Sequence, residues 1–580
     1  MTSDTTVQTD RKRRVQRKPG RTQSRLAAAV PSLLALATVV LGIVDIISAV
    51  TPERTARLHA LTQVVPLPVA HAASAVTVGV GLLLTMLGHG LRRRKRRAFR
   101  AAVGLLLLST VLHVVKGLDV EEAVTTAALA ALLLASSAQF YALGDPRTRK
   151  RAPLAFVGLF AASVVIGLVL LYARDESVVG HAPFGARLRE VLWGLIGVGG
   201  PLHFRTEHDG DLVFAVLLTL GVLTVVVTAY LALRPAEPAA RLTLDDESRL
   251  RALLERQGHR DSLGYFALRR DKSVLFSPSG KAAISYRVVS GVMLASGDPI
   301  GDPEAWPGAI AEFMEVARLH AWTPAVMGCS ELGGEVWVRE ADLRALELGD
   351  EAIVEVADFS LDGRAMRNVR QMVARVERAG YTTDVRRVRD IAPEDVAEIQ
   401  RQAAAWRDTE VERGFSMALG RFGGPEDADC VAITACLDGR VAAVLHFVPW
   451  GDDGLSLELM RRDRSADPGL NELMIVAALR AAPSLGVKKI SLNFAVFRSA
   501  LERGGRLGAG PIIRAWRELL LVASRWFQIE SLYRFNAKFR PLWEPRFVCY
   551  PGPGDLPRVA LAALEAEAFI VWPRWPSRRG

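Results

Sequence analysis

Six long apolar runs occupy most of the first 240 residues of this 580-residue chain. Most of them reach the ~20 residues that a helix needs to cross a hydrocarbon core about 30 Å thick. Apolar residues make up 50% of the chain, which is too apolar and too long for a single soluble domain. The runs therefore predict a membrane domain of about six transmembrane helices over residues 26–233. They are Leu26–Val50, Val64–Leu87, Ala101–Val115, Ala123–Leu143, Pro153–Tyr172 and Leu212–Leu233.

Lysine and arginine are unevenly distributed over the connections between these runs. The basic tail 1–25, the loop Leu91–Arg97 and the segment 147–151 are rich in both, whereas the intervening loops contain few. Because basic loops remain on the cytoplasmic side of a membrane, six spans place both chain termini in the cytoplasm. The expected protein is therefore a multi-pass protein of the cell membrane with a large cytoplasmic second half.

Four ionisable residues lie within or near the apolar runs. Such groups are costly inside a bilayer and are candidates for function. Packing between helices and an interfacial position are the plainer alternatives, and the sequence leaves both readings open. The four residues are Asp45, His71, His89 and His113.

The net charge of +11 conceals a local basic region at the C-terminal end. Residues 241–485 hold 30 basic and 40 acidic side chains, whereas residues 486–580 hold 16 and 7. A basic excess confined to one segment predicts an anionic partner there. All four cysteines lie in the second half without a zinc-binding spacing, so we expect reduced, structural thiols and no metal.

The second half repeats one order of elements after a linker at residues 234–241. Three strand-like runs, a helical pattern and a further apolar run are predicted in 242–380, and the same order recurs in 381–550, with a tail at 551–580. This is the core order of an acetyltransferase-like fold, and its recurrence suggests a tandem duplication. The predicted fold class is a multi-pass α-helical membrane domain followed by an α/β (α+β) cytoplasmic domain of two tandem acetyltransferase-like (GNAT-like) folds.

An arginine-rich helix is predicted at Arg364–Gly380, between the two repeats. Met366, Val369, Val373 and Val376 give it an apolar stripe, and Gly380 is a plausible C-terminal cap. Its arginines form either a solvated face over that stripe or a contact with lipid headgroups or RNA phosphates. The arginines are Arg364, Arg367, Arg370, Arg375 and Arg378.

The segment Glu530–Arg546, ESLYRFNAKFRPLWEPR, interleaves aromatic and basic residues. Aromatic faces stack on bases or line a dry cleft, while guanidinium and ammonium groups neutralise phosphates. The segment therefore predicts a binding surface for a polyanion.

The sequence contains no recognisable cofactor motif. Acetyltransferases that use acetyl-CoA hold its pyrophosphate on a glycine-containing turn before the main helix. The corresponding segment here, Arg461–Glu472, has one glycine and lacks that spacing, and phosphate-loop, dinucleotide-binding and zinc-protease patterns are absent too. We therefore expect neither a cofactor nor a metal.

Several of these segments resemble the catalytic domain of bacterial phosphatidylglycerol lysyltransferases. The resemblance covers roughly Leu242–Tyr550 and looks most like the actinobacterial branch, whose members often have a lysyl-tRNA synthetase fused behind this domain. This chain ends at Gly580, so a separate aminoacyl-tRNA synthetase is expected as a partner. The matching segments are Trp406–Phe422, Leu455–Arg462, the helix start at Asn471, Lys488–Arg498 and Glu530–Arg546.

The resemblance implies transfer of an amino acid, lysine first of all, from aminoacyl-tRNA to a glycerol hydroxyl of phosphatidylglycerol in an anionic membrane. The product lipid would lower the negative charge of the membrane and give resistance to cationic antimicrobial peptides. Glu458 and Arg461 then match the family's catalytic acid and arginine, although the family usually has aspartate where Glu458 stands. Glu458 is expected to recognise the substrate amine or act as a base, and Arg461 to hold a phosphate or the oxyanion.

Four further residues are implied to bind substrate. Glu472 would add to the amine site, and Lys538 and Arg546 would bind tRNA or lipid phosphate. Trp543 would stack on a base or line the cleft. Two other functions remain open: a Fem-like aminoacyl-tRNA-dependent transferase acting on a cell-wall precursor, and a lipid flippase with a regulatory cytoplasmic domain.

Overall fold

The computed structural model describes residues 21–50, 67–92, 94–117, 120–141, 148–233, 240–407, 414–496 and 529–570. They form two compact units that meet in sequence near residue 236. The first unit is helical: α1 Arg21–Val50, α2 Leu67–Arg92, α3 Arg96–Gly117, α4 Val120–Ala135, α5 Thr148–Ala173, α6 Phe184–Leu195 and α7 Glu207–Leu233.

Each of the six predicted runs overlaps a helix of this first unit, but the run Ala123–Leu143 continues beyond the end of α4 at Ala135. Among the described residues, four stretches are long and apolar enough to cross a membrane, which identifies a membrane protein: Val30–Ile47, Arg96–Val114, Leu154–Ala173 and Glu207–Ala229. The apolar stretch of α2 is shorter, and α4 has 16 residues. At a rise of about 1.5 Å per residue, α4 alone is shorter than the hydrocarbon core.

Small residues allow α1 and α2 to pack closely. A Cβ atom added at Gly42 would lie 2.6 Å from the carbonyl oxygen of Gly81, and one added at Gly81 would lie 2.5 Å from that of Gly42. Close approach of backbones at small residues is a common way for helices to associate in membranes, where apolar burial provides little driving force.

A buried polar cluster joins α1, α3 and α4. The carboxylate of Asp45 accepts a hydrogen bond from Ser109 Oγ at 2.8 Å and lies 3.1 Å from His113 Nε2. The other ring nitrogen of His113 lies 2.9 Å from Glu122 Oε2. Asp45 and His113 are thus held by interhelical contacts. The side chains of His71 and His89 lie outside the described residues.

The second unit is an α/β unit. Its helices are α8 Leu244–Gln257, α9 Trp306–His320, α10 Glu331–Ala341, α11 Arg367–Arg378, α12 Pro393–Ala405, α13 Leu470–Ala481, α14 Ile529–Ala537 and α15 Leu556–Ala566. Its strands are β1 Ser273–Phe276, β2 Ala282–Val289, β3 Val292–Ser296, β4 Ile300–Gly301, β5 Thr323–Cys329, β6 Arg344–Glu355, β7 Thr382–Arg387, β8 Val431–Leu437, β9 Arg440–Trp450, β10 Gly454–Arg462, β11 Lys489–Val496 and β12 Leu542–Tyr550.

The predicted duplication is confirmed by the topology of this unit. In the first repeat, β1, β2 and β3 are antiparallel, α9 follows, and β5 returns parallel to β3. In the second, β8, β9 and β10 are antiparallel, α13 follows, and β11 returns parallel to β10. The fold class is therefore a set of apolar helices followed by two tandem acetyltransferase-like folds.

The two repeats exchange their last strands. The sheet order is β1-β2-β3-β5-β12-β6-β11-β10-β9-β8-β7, with β4 paired to β2. Strand β6, from the first repeat, pairs with β11 of the second, and β12, from the second, pairs with β5 of the first. The repeats therefore share one continuous sheet and cannot be separated without breaking the three ladders β5–β12, β12–β6 and β6–β11.

The core of the second repeat is formed by α11 and α13 against β8, β9, β10 and β11. Val369, Val373 and Val376 of α11 are buried there, at the i, i+4, i+7 spacing of one helical face. Gly380 follows α11 in a left-handed conformation with φ 95°, as its predicted capping role requires. All four cysteines are free, and Cys329 Sγ lies 3.7 Å from Cys549 Sγ.

The buried cluster predicts unequal costs for two substitutions in the first unit. Asp45→Ala removes the carboxylate that contacts both Ser109 Oγ and His113 Nε2, whereas Ser109→Ala removes one hydrogen bond. At about 0.6–2 kcal/mol for each interhelical bond in a membrane protein, Asp45→Ala should lower the thermal midpoint of the detergent-solubilised chain clearly more than Ser109→Ala. Equal midpoints would show that the cluster does not hold the helices together.

Candidate active site

A fork between β10 and β11 opens the centre of the second repeat. The two strands pair in parallel over three residue pairs only, of which Ser456 with Ser491 is the last. Directly beyond it each strand has a bulge, at Glu458 in β10 and at Leu492 and Asn493 in β11. Asn493 has a φ of 76°, a left-handed conformation that asparagine tolerates better than most residues. Bulges re-aim side chains and are frequent at active sites, so this fork is the candidate site.

Glu458 is the unpaired bulge residue of β10, and both of its carboxylate oxygens are held. Oε1 accepts a hydrogen bond from the backbone N–H of Gly420 at 3.0 Å. Oε2 lies 2.9 Å from Nδ1 of His446, and the two side chains are 4% and 0% exposed. The carboxylate therefore sits in one orientation in a nearly dry environment, where charge–charge interactions are strong.

His446 is charged in this setting. Burial lowers the pKa of His446, but nearby Cys430 and Glu458 outweigh burial and raise its pKa to about 10. At neutral pH an imidazolium thus faces the Glu458 carboxylate. The ring of Phe422 lies edge-on against the imidazole, with centroids 4.7 Å apart, and covers the pair.

Arg461 lies three residues beyond Glu458 on the same strand. Its Nη1 donates to the carbonyl oxygen of Ala403, near the end of α12, at 2.7 Å. This hydrogen bond anchors the guanidinium to α12.

The opposite wall of the fork is formed by α13 and α14. Asn536 Nδ2 donates to the carbonyl oxygen of Leu492 at 3.2 Å, so α14 is fixed to the bulge of β11. Lys538 Nζ donates to Glu472 Oε1 at 2.7 Å, with Glu472 8% and Lys538 41% exposed. Glu472 is in the first turn of α13, and its charge is neutralised by Lys538.

The predicted aromatic surface packs largely on itself. The rings of Tyr533 and Trp543 are 5.4 Å apart, and those of Phe535 and Phe539 are 5.6 Å apart with edge-to-face geometry. Lys538 Nζ lies 5.1 Å from the centre of the Phe535 ring. The interleaved pattern thus packs its rings in pairs, while Arg534, Lys538 and Arg540 are exposed.

A buried network lies at the base of the fork. Arg546 is 3% exposed and donates to Asp261 Oδ1 at 2.7 Å and to Glu351 Oε2 at 2.8 Å. Glu351 also accepts hydrogen bonds from Ser262, at 2.6 Å, and from Ser491. Burial lowers the pKa of Arg546, but Glu351, Asp261 and the nearby Asp298 raise it above its ordinary value.

The structure brings some of the predicted residues into contact and places others in different surroundings. Glu472 and Lys538 form an ion pair, whereas Arg546 lies buried among carboxylates, and phosphate binding by Arg546 stays a prediction. His446 and Glu351 were missed by sequence reasoning. The only signal for His446 was the presence of a histidine inside the apolar strand VLHFV. Nothing in the local sequence distinguished Glu351.

Sequence comparison gives a match for most of the second unit. Residues 251–550, more than half of the chain, match a family model described as phosphatidylglycerol lysyltransferase, C-terminal. The chain is 44% identical over 512 residues to a lysylphosphatidylglycerol biosynthesis bifunctional protein LysX of Mycobacterium avium, covering 86% of this chain and 43% of that protein. The identity to the protein of the same name from Rhodococcus opacus is 43% over 508 residues, covering 85% and 45%. The chain thus spans less than half the length of these relatives.

Two solved structures are similar to more than half of the chain. The structure of L-PGS from Bacillus licheniformis is 21% identical, with a TM-score of 0.49 and coverage of 58% of this chain and 98% of that one. A C-terminal domain of a putative lysylphosphatidylglycerol synthetase from Agrobacterium fabrum is 25% identical, with a TM-score of 0.47 and coverage of 56% and 98%.

The raised pKa of His446 predicts a pH-dependent contribution to stability. A group whose pKa is higher in the folded than in the unfolded protein contributes its full stabilisation of the folded state below the unfolded pKa, here about 6.5. That contribution is lost as the pH rises towards the folded-state pKa of about 10. The difference in urea midpoint between wild type and His446→Gln should therefore be largest near pH 6 and shrink steadily up to pH 10. A difference that does not vary with pH would contradict the imidazolium–carboxylate pair.

Burial of Arg546 predicts a large structural cost for its removal. Arg546→Met leaves Asp261 and Glu351 without a counter-charge, and breaking such a buried pair costs about 3–5 kcal/mol of the free energy of unfolding. The exposed Arg344, on the neighbouring strand β6, provides the control substitution Arg344→Met. If Arg546→Met unfolds at the same urea concentration as the control but loses ligand binding, Arg546 is a ligand contact instead.

Proposed function

The chain belongs to the phosphatidylglycerol lysyltransferase family, and from this membership together with the geometry of the fork we propose that it transfers lysine from lysyl-tRNA to a glycerol hydroxyl of phosphatidylglycerol. The product lipid carries extra positive charge. The membrane surface becomes less anionic, and cationic antimicrobial peptides bind it less strongly. No observation favours a cell-wall acceptor or a purely regulatory second unit.

The observation that carries the proposal is the pair Glu458 and Arg461 at the bulge of β10. Both types of group that this reaction requires, an anion for the lysine ammonium and a cation for phosphate or oxyanion, project from one short stretch of strand. Glu458 is oriented by His446, and Arg461 by the carbonyl oxygen of Ala403.

The chemistry needs no covalent enzyme intermediate. The lipid hydroxyl oxygen attacks the ester carbonyl carbon of the aminoacyl-tRNA, a new ester bond forms, and the bond to the ribose oxygen breaks. The proton of the lipid hydroxyl ends on the departing ribose oxygen, so the net reaction releases none. The protein's task is to align the two substrates and to stabilise the tetrahedral oxyanion.

We assign Glu458 to binding a substrate ammonium group. Its carboxylate accepts a hydrogen bond from the amide N–H of Gly420 and faces the imidazole of His446. The same two partners fix its orientation, which favours recognition of a cation over proton abstraction. Arg461 then lies within the same strand segment to meet the oxyanion or a phosphate.

The remaining predicted residues take supporting roles. Lys538 keeps part of its side chain exposed while it neutralises Glu472, so its ammonium can contact a phosphate at the mouth of the fork. Trp543 lines the wall with Tyr533. We assign Arg546 to positioning, since its guanidinium fixes Glu351 and, through Ser491, the last paired residue before β11 diverges.

We further propose that the first unit crosses the membrane six times with both termini in the cytoplasm. The basic tail, loop and segment described above support this orientation, and α2 and α4 would complete the four spans of sufficient length.

The test compares substitutions at the fork with a surface control. Membranes containing the protein are mixed with phosphatidylglycerol and tRNA charged with radiolabelled lysine, and label in the lipid fraction is measured. Glu458→Gln should lower kcat/KM about 10- to 100-fold through loss of a charged hydrogen bond. Arg461→Met should lower it about 100-fold or more if it meets the oxyanion.

Glu315→Gln is the matched control, because Glu315 is exposed on α9 and pairs only with its helix neighbour Arg318 among the described residues. It should transfer label at the wild-type rate. Wild-type transfer by Glu458→Gln and Arg461→Met, with normal membrane insertion, would contradict the assignment of the site.

A further inference from the structure

An arginine face on α11 is not used by the site described above. The face consists of Arg367, Arg375 and Arg378, all exposed, with Arg364 and Arg370 beside it. Arg370 and Arg378 donate to backbone carbonyl oxygens, which leaves their charge unneutralised. The only acidic residue within α11, Glu377, pairs with Arg480 of α13 at 3.8 Å.

Carboxylates do little to neutralise this face. The nearest acidic partner of Arg375 is Asp467, at 3.9 Å and with both side chains about half exposed. Within the described part of the chain, no carboxylate lies within ion-pair distance of Arg364 or Arg367. Concentrated positive charge without counter-charge is unfavourable by itself and marks a surface for a polyanion.

The face is connected to the fork through the segment between β10 and α13. Gly469, the residue before α13, has a φ of 113°, and a Cβ atom there would lie 2.6 Å from Met372 Cγ and 2.9 Å from Val376 Cγ2 of α11. The N–H of Asp467 lies 3.4 Å from the hydroxyl of Tyr381, just after α11. Helix α11 therefore supports the turn from which Glu472 enters the site.

The chemistry of the face selects among anionic partners. An amphipathic helix that lies on a bilayer inserts its apolar side, but Val369, Val373 and Val376 are already buried in the protein core. What remains is a ridge of guanidinium groups, which bind phosphates in a bidentate manner. Twelve residues of helix give a ridge about 18 Å long. That length suits several consecutive phosphates of a nucleic-acid strand.

We propose that the arginine face of α11 binds the sugar–phosphate backbone of the tRNA whose aminoacylated end enters the fork. The inference rests on the proposed function for the identity of the RNA, whereas RNA binding by this face can be measured without any transfer. The contacts are to phosphates and independent of base sequence, so they add affinity for the tRNA body while the fork acts on the ester.

The experiment measures binding of an uncharged tRNA transcript to the full-length, detergent-solubilised protein between 0.05 and 0.3 M salt. The triple variant Arg367→Gln, Arg375→Gln, Arg378→Gln removes three candidate phosphate contacts. The slope of log K against log salt concentration should fall by about 2–3, and affinity near 0.15 M salt should fall about tenfold or more. In a transfer assay the triple variant should have a raised KM for aminoacyl-tRNA and an unchanged kcat.

A charge-matched control removes three exposed arginines from α9, α10 and β6, namely Arg318→Gln, Arg339→Gln and Arg344→Gln. It changes the net charge equally and should retain the wild-type salt slope. Equal slopes for the two triple variants would overturn the proposal. So would a loss of binding to phosphatidylglycerol vesicles with tRNA binding intact, which would assign the face to the membrane surface. Wild-type protein that binds tRNA through α11 but transfers no lysine would instead refute the proposed function.

Discussion

The buried contact between Arg546 and Glu351 holds the second unit together at the point where its two repeats meet. Arg546 belongs to β12 and Glu351 to β6, the two exchanged strands. Asp261, beyond α8, binds the same guanidinium. A buried charge is tolerated only when it is paired and hydrogen-bonded, so each of these groups requires the other two.

The opening of the fork follows from this arrangement. Strand β6 takes the edge of β11 that a simple duplication would leave free, and Glu351 binds Ser491 at the last residue pair between β10 and β11. Beyond that pair each strand remains bonded to its outer neighbour, and the bulges at Glu458 and Asn493 fall on either side of the gap. A ligand site is created because β10 and β11 are paired up to the fork and separate from each other beyond it. The backbone groups freed there are partly satisfied by side chains, as Asn536 does for Leu492.

Much of the fold could be predicted from the sequence, because its signals are local. Strands such as Val431–Leu437 and Arg440–Trp450 have β-type patterning, and the valine stripe of α11 has helical spacing. The exchange of β6 and β12 could not be predicted, since strand pairing across some 200 residues leaves no local trace. Hydrophobicity alone does not set the number of membrane spans, because α4 is apolar but has only 16 residues.

For the site, the sequence identified the residues whose types suit the chemistry but not their partners. Glu458 and Arg461 came from a family resemblance, whereas the pairing of Glu458 with His446 needed the register of β9 against β10. The aromatic and basic segment around Lys538 predicted an open binding surface for a polyanion. In the structure most of its rings pack together, and Arg546 is buried. Burial depends on which strand covers a residue, and composition does not reveal that.

The most direct measurement of the central claim is the identity of the lipid product. Membranes containing the wild-type protein would be incubated with phosphatidylglycerol and tRNA charged with isotopically labelled lysine, and the lipids analysed by mass spectrometry. The account predicts a labelled lysyl ester of phosphatidylglycerol whose formation is abolished by ribonuclease treatment before the reaction. Labelled lysine absent from lipid, or its appearance in lipid without intact tRNA, would contradict it.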